Sequence, residues 1–472
     1  MRLPATVVLD DSALHVPGQF LGGFPPRLWR IRPPARSLEN AVVSGAQLPS
    51  GASRDDALQR MLAAGLVHPG RFERERSGAE GLVAVVVPVH EDQAGLDATL
   101  NALNAFENAN LQISECVIVD DGSIEPIQIQ VDVTFPIRVL RSEHVRGPAA
   151  ARNAGWIATS AALVLFVDAN VSCEPTVIAR LSDVVALPGI GIVAPRVCQA
   201  PGRGSFGDAI ANTSSLDLGP SPAVVRRDGR VSYVPGCCLL IKRSLLERLR
   251  GFDETLHTGE DVDFIWRADA LGFATRYEPS VSATHGERSA VSALRRRFAY
   301  GTSTAQLAAQ HRGAMAPFRF RPSTVLACGL ALSGKRMAAC TLAAARLAAD
   351  TVTLRRTDAT RQFATRLAVQ INSTEVLGIA NGICRPEFPI ALLCLAGRRT
   401  RRVTALAIAV SLLSRQRRGH GVPKMKTLLW QLADDSAYSA GVWGAALRSR
   451  QLGPLLPKRS NFRPNIMRKA TA

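Results

Sequence analysis

Four short stretches limit what this chain can fold into. Residues 82–87 form an unbroken apolar, mostly β-branched run that stops at Pro88. A second run, 116–119, stops at Asp120-Asp121-Gly122-Ser123, a third covers 137–140, and a fourth, 163–167, stops at Asp168. Strands apolar on both faces belong inside a parallel sheet covered by helices. Helical spacing through Leu96, Leu100, Leu103 and Phe106, and a Gly147-Pro148 helix start, fill the gaps between them. The alternation predicts an α/β fold with a parallel sheet and crossover helices. In open sheets of this kind ligands bind beyond the carboxyl ends of the strands, where 88–91, 120–123 and 168–170 all fall.

Charge divides the chain. Residues 1–286 hold 26 Lys+Arg against 32 Asp+Glu, whereas 287–472 hold 31 against 7, so the net +18 belongs to the C-terminal part. Such asymmetry points to a module facing an anionic partner. The uncharged runs 322–334, 388–397 and 403–413 are each too short to span a bilayer unaided. Arg398-Arg399-Thr400-Arg401-Arg402 and Arg415-Gln416-Arg417-Arg418 flank them. This pattern suits helices lying in an anionic membrane surface on the cytoplasmic side, a hydrophobic hairpin, or equally a basic soluble helical bundle. Nucleic acid is not expected as a partner, since neither zinc spacing nor an RNA-binding aromatic motif accompanies the charge. The nine cysteines read as small buried hydrophobes of a reducing compartment. The apolar run at 3–9 is too short for a signal-peptide core, so a cytoplasmic origin is expected.

The division expected is an N-terminal α/β module over 1–78 with a helix at 54–64 and a polar linker at 71–78, a central domain over 80–305, and a basic, mainly helical tail over 306–472. Acids at three successive strand ends suit a nucleotide-sugar donor, which needs polar contacts to base and ribose and a divalent cation on its diphosphate. Asp120 and Asp121 are placed to serve the base, and Asp168 the ribose and metal. One such acid alone would more simply cap a helix.

Five segments carry a family resemblance: Val87-Pro88-Val89-His90-Glu91, Val119-Asp120-Asp121-Gly122-Ser123, Gly147-Pro148-Ala149-Ala150-Ala151-Arg152-Asn153, Phe166-Val167-Asp168-Ala169-Asn170 and Thr258-Gly259-Glu260-Asp261-Val262-Asp263. In order and spacing residues 80–305 resemble the inverting family-2 glycosyltransferases of the GT-A fold. Residues 21–30 and 62–69, with the basic apolar tail, make the whole chain similar to the mycofactocin-system branch of that family. The resemblance implies the GT-A nucleotide-diphospho-sugar transferase fold, with a small N-terminal α/β module that recognises the acceptor. It implies transfer of glucose from UDP-glucose onto a peptide-derived redox cofactor precursor, extended as a β-linked oligoglucoside. Donor contacts then fall to Pro88, Val89, Glu91, Asp120, Asp121, Arg152, Asn153 and Asp168. Asp261 becomes the base and Glu260 orients the acceptor, although carboxylates at a helix start are also favoured by the dipole alone.

Arg295, Arg296 and Arg297 are candidates to close over the departing diphosphate, the alternative being a solvated basic helix face. The resemblance further implies Mg²⁺ or Mn²⁺ on Asp168, Asn170 and His285. Relatives carry Asp-x-Asp where this chain has Asp168-Ala169-Asn170, so a neutral carbonyl stands in place of a carboxylate and holds a metal more weakly or through water. Other readings are a glycosyltransferase acting on a lipid-linked or cell-envelope glycan, and a non-catalytic membrane or nucleic-acid binding protein.

Overall fold

The computed structural model describes residues 3–23, 27–31, 35–72, 82–104, 113–173, 175–355, 360–398, 400–416, 425–460 and 470–471. Most of the expected linker and the basic residues 417–418 lie outside them. The chain opens with strands β1 (Val7–Leu9), β2 (Leu14–Val16), β3 (Gln19–Gly22) and β4 (Arg27–Arg30), helices α1 (Arg36–Ser44) and α2 (Ala52–Ala64), and strand β5 (Val67–Pro69). β2, β3 and β4 form an antiparallel meander, and alternation along it fills two cores. Phe20 and Trp29 pack with Leu38, Leu58 and Met61 of the unit itself. Their neighbours Leu21 and Leu28 pack with Leu354, Phe363 and Leu367 of the tail. Buried polar contacts also fasten the unit to the central domain: Arg180 donates to the Pro69 carbonyl at 2.6 Å. Arg276 lies 3.1 Å from His68 Nδ1, whose Nε2 lies 2.8 Å from Asp10.

The central domain runs β6 (Val83–Val89), α3 (Gln93–Asn104), β7 (Ile113–Asp121), β8 (Ile137–Ser142), α4 (Pro148–Ile157), β9 (Leu163–Val167), β10 (Val171–Cys173) and α5 (Pro175–Val185). It continues with β11 (Ile190–Gln199), α6 (Gly207–Asn212), β12 (Ala223–Val225), β13 (Cys238–Lys242), α7 (Arg243–Leu249), α8 (Glu260–Ala270) and β14 (Ala274–His285). Its sheet has the order β10-β14-β11-β13-β9-β6-β7-β8, with β12 paired to β14. The four strands read from sequence are mutually parallel. Beyond them the sheet is mixed, because β13 runs antiparallel between β9 and β11. Its buried Leu239-Leu240-Ile241 is as apolar as a parallel strand, so hydropathy alone carries no sign of its direction. Leu96, Leu100 and Leu103 of α3 are buried as their spacing requires. α4 lies close on the sheet: a Cβ added at Gly155 would meet Val86 Cγ1 at 2.2 Å.

Helix α9 (Ala290–Gln310) leads into the tail and contains position 305. The short strand β15 (Arg319–Phe320) and helices α10 (Pro322–Leu332), α11 (Arg336–Arg355), α12 (Arg361–Cys384), α13 (Phe388–Ala396), α14 (Arg401–Gln416) and α15 (Met425–Ser449) follow. α15 returns to cross α9 at two glycines. A Cβ at Gly301 would stand 2.2 Å from the Tyr438 carbonyl oxygen, and one at Gly441 2.2 Å from that of Phe298. Only glycine admits so close a backbone approach. Among the described residues one helix, α11, is long and apolar enough to cross a membrane, a length the uncharged runs in sequence did not reach. α12 and α13 reach that mark only together, across an 87° bend. Within α11, Asp350 pairs with Arg321 at 3.0 Å and Arg346 with Glu375 of α12 at 2.6 Å. Cys328 and Cys340 are exposed, unlike the buried thiols expected; Cys116, Cys173, Cys237, Cys238 and Cys384 are buried.

Candidate active site

A cleft of about 770 Å³ opens at the carboxyl ends of β6, β7 and β9. Pro88, Val89, Asp121, Arg152, Asp168, Asn170, Glu260, Asp261, His285, Arg295 and Arg296 all line it, so most residues singled out from sequence converge. Asp121 accepts the backbone N–H groups of Arg146 and Gly147, both at 2.8 Å, and so shapes the entry to α4.

Four of the sequence candidates do not line the cleft. Asp120 is 1% exposed and accepts from Ser123 N–H at 3.0 Å and Arg141 Nη1 at 2.6 Å. Burial opposes its charge, but the bonds from Ser123 and Ile127 and the Arg141 cation hold its pKa below the usual carboxylate value. Asn153 bridges the Phe252 backbone, accepting its N–H at 2.8 Å and donating to its carbonyl at 2.9 Å. Glu91, in left-handed backbone at φ 54, accepts the Ile124 N–H at 2.7 Å. Arg297 turns toward the tail, 2.9 Å from Asp434 and with its guanidinium 4.7 Å from the Tyr438 ring centroid.

Arg152 is the hub of the cleft. It is buried, and donates from Nη2 to Asp168 Oδ1 at 2.7 Å and from Nη1 to Glu260 Oε1 at 2.6 Å. Burial works against its charge, but Asp168 and Glu260 hold its pKa above the ordinary value. One cation thus ties the end of β9 to the start of α8. Gly259, at φ 88, turns the chain into α8 so that Glu260 and Asp261 stand at its N-terminus. Asp261 is half-buried and accepts the N–H groups of Gly236 and Val262, both at 2.8 Å. Burial raises the pKa of both acids, Glu260 to about 7 with the Asp261 charge adding to the effect. Such a raised, oriented carboxylate suits proton abstraction.

At the far side Asn170 takes left-handed backbone, φ 69, a conformation Asn tolerates better than most side chains. Its side chain lies over Gly286, where an added Cβ would meet Oδ1 at 1.8 Å. Burial and the nearby Arg288 charge press the His285 pKa down to about 4, so the ring is neutral. Its Nδ1 lies 3.1 Å from the Gly286 carbonyl, and Arg288 Nη2 stands 2.7 Å from Nε2. A cation therefore already rests against the imidazole face that a metal would use. Among the described residues no three His, Cys, Asp or Glu side chains form a metal cluster. The donors are the Asp168 carboxylate and the Asn170 amide, joined by the His285 imidazole once Arg288 leaves Nε2, a set that fits an ion whose remaining positions are phosphate oxygens and water.

Tyr300, which follows the arginine cluster in sequence, lines the cleft with it, and Arg288 is a cleft residue that sequence reasoning missed. Arg288 sits three residues beyond His285, and burial with the charge of Arg296 lowers its pKa. Arg288, Arg295 and Arg296 together place three guanidiniums on one side of the cleft.

A sequence profile described as Glycosyl transferase family 2 matches residues 84–250. The chain is 32% identical over 469 residues to the pre-mycofactocin glycosyltransferase of Mycobacterium tuberculosis, covering 96% of this chain and 95% of that protein. An uncharacterised glycosyltransferase of Haemophilus influenzae is 25% identical over 218 residues, 45% of this chain and 71% of that one. Among solved structures, a mannosyltransferase of Pyrobaculum calidifontis in complex with GDP-Man and Mn2+ covers 80% of this chain and 91% of its own, at 14% identity and a TM-score of 0.44. Full-length similarity to the tuberculosis enzyme, with the family-2 match across the cleft-forming strands, makes the chain a family-2 glycosyltransferase of the mycofactocin system.

Proposed function

We propose that the enzyme transfers glucose from UDP-glucose, with inversion, to a peptide-derived redox cofactor precursor and extends the product as a β-linked oligoglucoside. The observation that carries this reading is the position of Asp261. It is an oriented, partly buried carboxylate with a raised pKa, and it stands beside a cleft that presents Asp168 on one side and three arginines on another. In a single displacement the acceptor oxygen bonds to the anomeric carbon, the bond from that carbon to the UDP oxygen breaks, and the acceptor proton passes to Asp261. UDP leaves with the electron pair, and Arg288, Arg295 and Arg296 stabilise its charge. Glu260, held by Arg152, orients the acceptor. Asp121, Pro88 and Val89 meet the nucleoside directly, whereas Asp120, Asn153 and Glu91 shape the backbone around it.

Asp168 and His285, with the Asn170 amide oxygen, are the residues that would hold Mg²⁺ or Mn²⁺, which neutralises diphosphate charge when bound. The tail's outward apolar side chains, such as Leu393 at 76% and Leu406 at 64% exposure, with Arg401 and Arg402 beside them, suit contact with an anionic membrane surface on the cytoplasmic side.

Incubation with UDP-glucose, UDP-galactose and GDP-mannose, with and without EDTA, tests the donor reading through nucleotide release. UDP-glucose should react fastest, and chelation should stop it until metal is restored. Preference for GDP-mannose, or full activity in thorough chelation, contradicts it.

A further inference from the structure

A second cavity, of about 380 Å³, adjoins the donor cleft. The two share Pro235, Thr258, Gly259, Asp261 and Tyr300 in their walls. Among the described residues Asp261 is the only carboxylate on the second cavity. A base for single displacement must touch the acceptor hydroxyl while that hydroxyl faces the donor's anomeric carbon, so a carboxylate common to two cavities marks where the substrates meet.

The far wall comes from the tail. Tyr438 of α15 lines the cavity, and its ring is held by two guanidiniums, Arg297 at 4.7 Å and Arg385 at 5.5 Å from the centroid. Each guanidinium is anchored by an acid: Arg297 lies 2.9 Å from Asp434, and Arg385 lies 3.3 Å from Asp435, which it shares with Arg415. The glycine crossing of α9 and α15 fixes the same region, since the Tyr438 carbonyl is the atom that closes on Gly301. An aromatic ring braced in this way is a preorganised platform, and it costs little entropy when it stacks on a ligand. The volume suits a small molecule, within the usual range for ligand pockets.

We propose that this cavity is the acceptor pocket and that Tyr438 is a specificity-determining residue, its ring packing on the flat face of a ring-bearing acceptor whose hydroxyl reaches Asp261. This inference rests on the glycosyltransfer reading above and adds the acceptor's place to it. The flat face is either an aromatic ring of the precursor or a sugar ring already attached to it.

Equilibrium binding by calorimetry, which needs no turnover, tests the pocket with pre-mycofactocin and with cellobiose as separate probes. Tyr438→Ala should weaken binding of at least one probe tenfold or more, while Tyr438→Phe retains it. Loss confined to pre-mycofactocin assigns the platform to an aromatic ring, and loss for cellobiose assigns it to a sugar. Ala316→Trp, placed in a loop on the cavity wall, should block both probes without touching α15. Unchanged affinity in both Tyr438→Ala and Ala316→Trp overturns the proposal. If wild type itself releases no UDP, the transfer reading fails while the binding result still decides the pocket.

Discussion

Residues 1–286 and 287–472 use arginine in opposite ways. In the first region the key guanidiniums turn inward: Arg152 joins Asp168 and Glu260, and Arg196 pairs with Asp217 at 2.7 Å. In the second, acids are few, and four of them hold helices together. Asp350 and Glu375 take Arg321 and Arg346; Asp434 and Asp435 take Arg297 and Arg415. Many of the remaining basic residues, Arg401 and Arg402 among them, are left at the surface. Net charge therefore describes the outside of the tail, while the placement of a few acids describes its packing. The two regions are also physically joined, because Arg297 lies in the helix that follows the cleft yet pairs with the last long helix.

The largest effect is expected at the inward-facing hub. Arg152→Met should leave the buried Glu260, and the partly exposed Asp168, without their cation, lowering stability by about 3–5 kcal/mol. It should also reduce transfer by about 10³-fold. Thermal unfolding and initial rates check both, and a variant as stable and active as wild type would show that the hub is dispensable.

Much of this contrast was legible from the chain alone. Three of the four parallel strands and their end motifs follow from apolar runs ending at Pro or Asp; the strand at 137–140 is interrupted by Arg138, and the start of α8 follows from the family resemblance. The resemblance makes Arg152 a donor contact; its pairing with two carboxylates depends on Glu260, 108 residues away, which no local pattern reveals. Asp120 and Asp121 look equivalent in sequence, but strand alternation sends neighbouring side chains to opposite faces, and Asp121 alone lines the cleft. Arg295, Arg296 and Arg297 form one basic cluster on paper. The helical turn of about 100° per residue separates the first two from Arg297, which faces α15. The glycine crossing was invisible, since Gly301 and Gly441 acquire meaning only when their helices meet.

A smaller effect concerns proton affinity on the two sides of Arg152. Burial holds Glu260 up to about 7 and raises Asp261 as well. A base with a raised pKa is protonated over a wider acidic range, so kcat/KM should fall about tenfold per pH unit on the acid side of the raised Asp261 pKa. Glu260→Gln removes the neighbouring charge and should move that limb to lower pH. An unmoved limb would assign it to another group.

The smallest effect belongs to the outward-facing arginines. Each basic residue near an anionic leaflet contributes about 1 kcal/mol, so Arg401→Gln with Arg402→Gln should weaken co-sedimentation with phosphatidylserine vesicles by about tenfold or more. Raised salt should reproduce that loss in the wild type. Salt-insensitive binding, unaffected by the substitutions, would place the apolar helices rather than charge in control.

That the two regions meet at Asp261 is tested most directly by Asp261→Asn, which keeps shape and removes basicity. Transfer to pre-mycofactocin should fall by about 10²–10⁴-fold while the affinities for UDP and for the acceptor stay near wild type. Wild-type turnover in that variant would contradict the account.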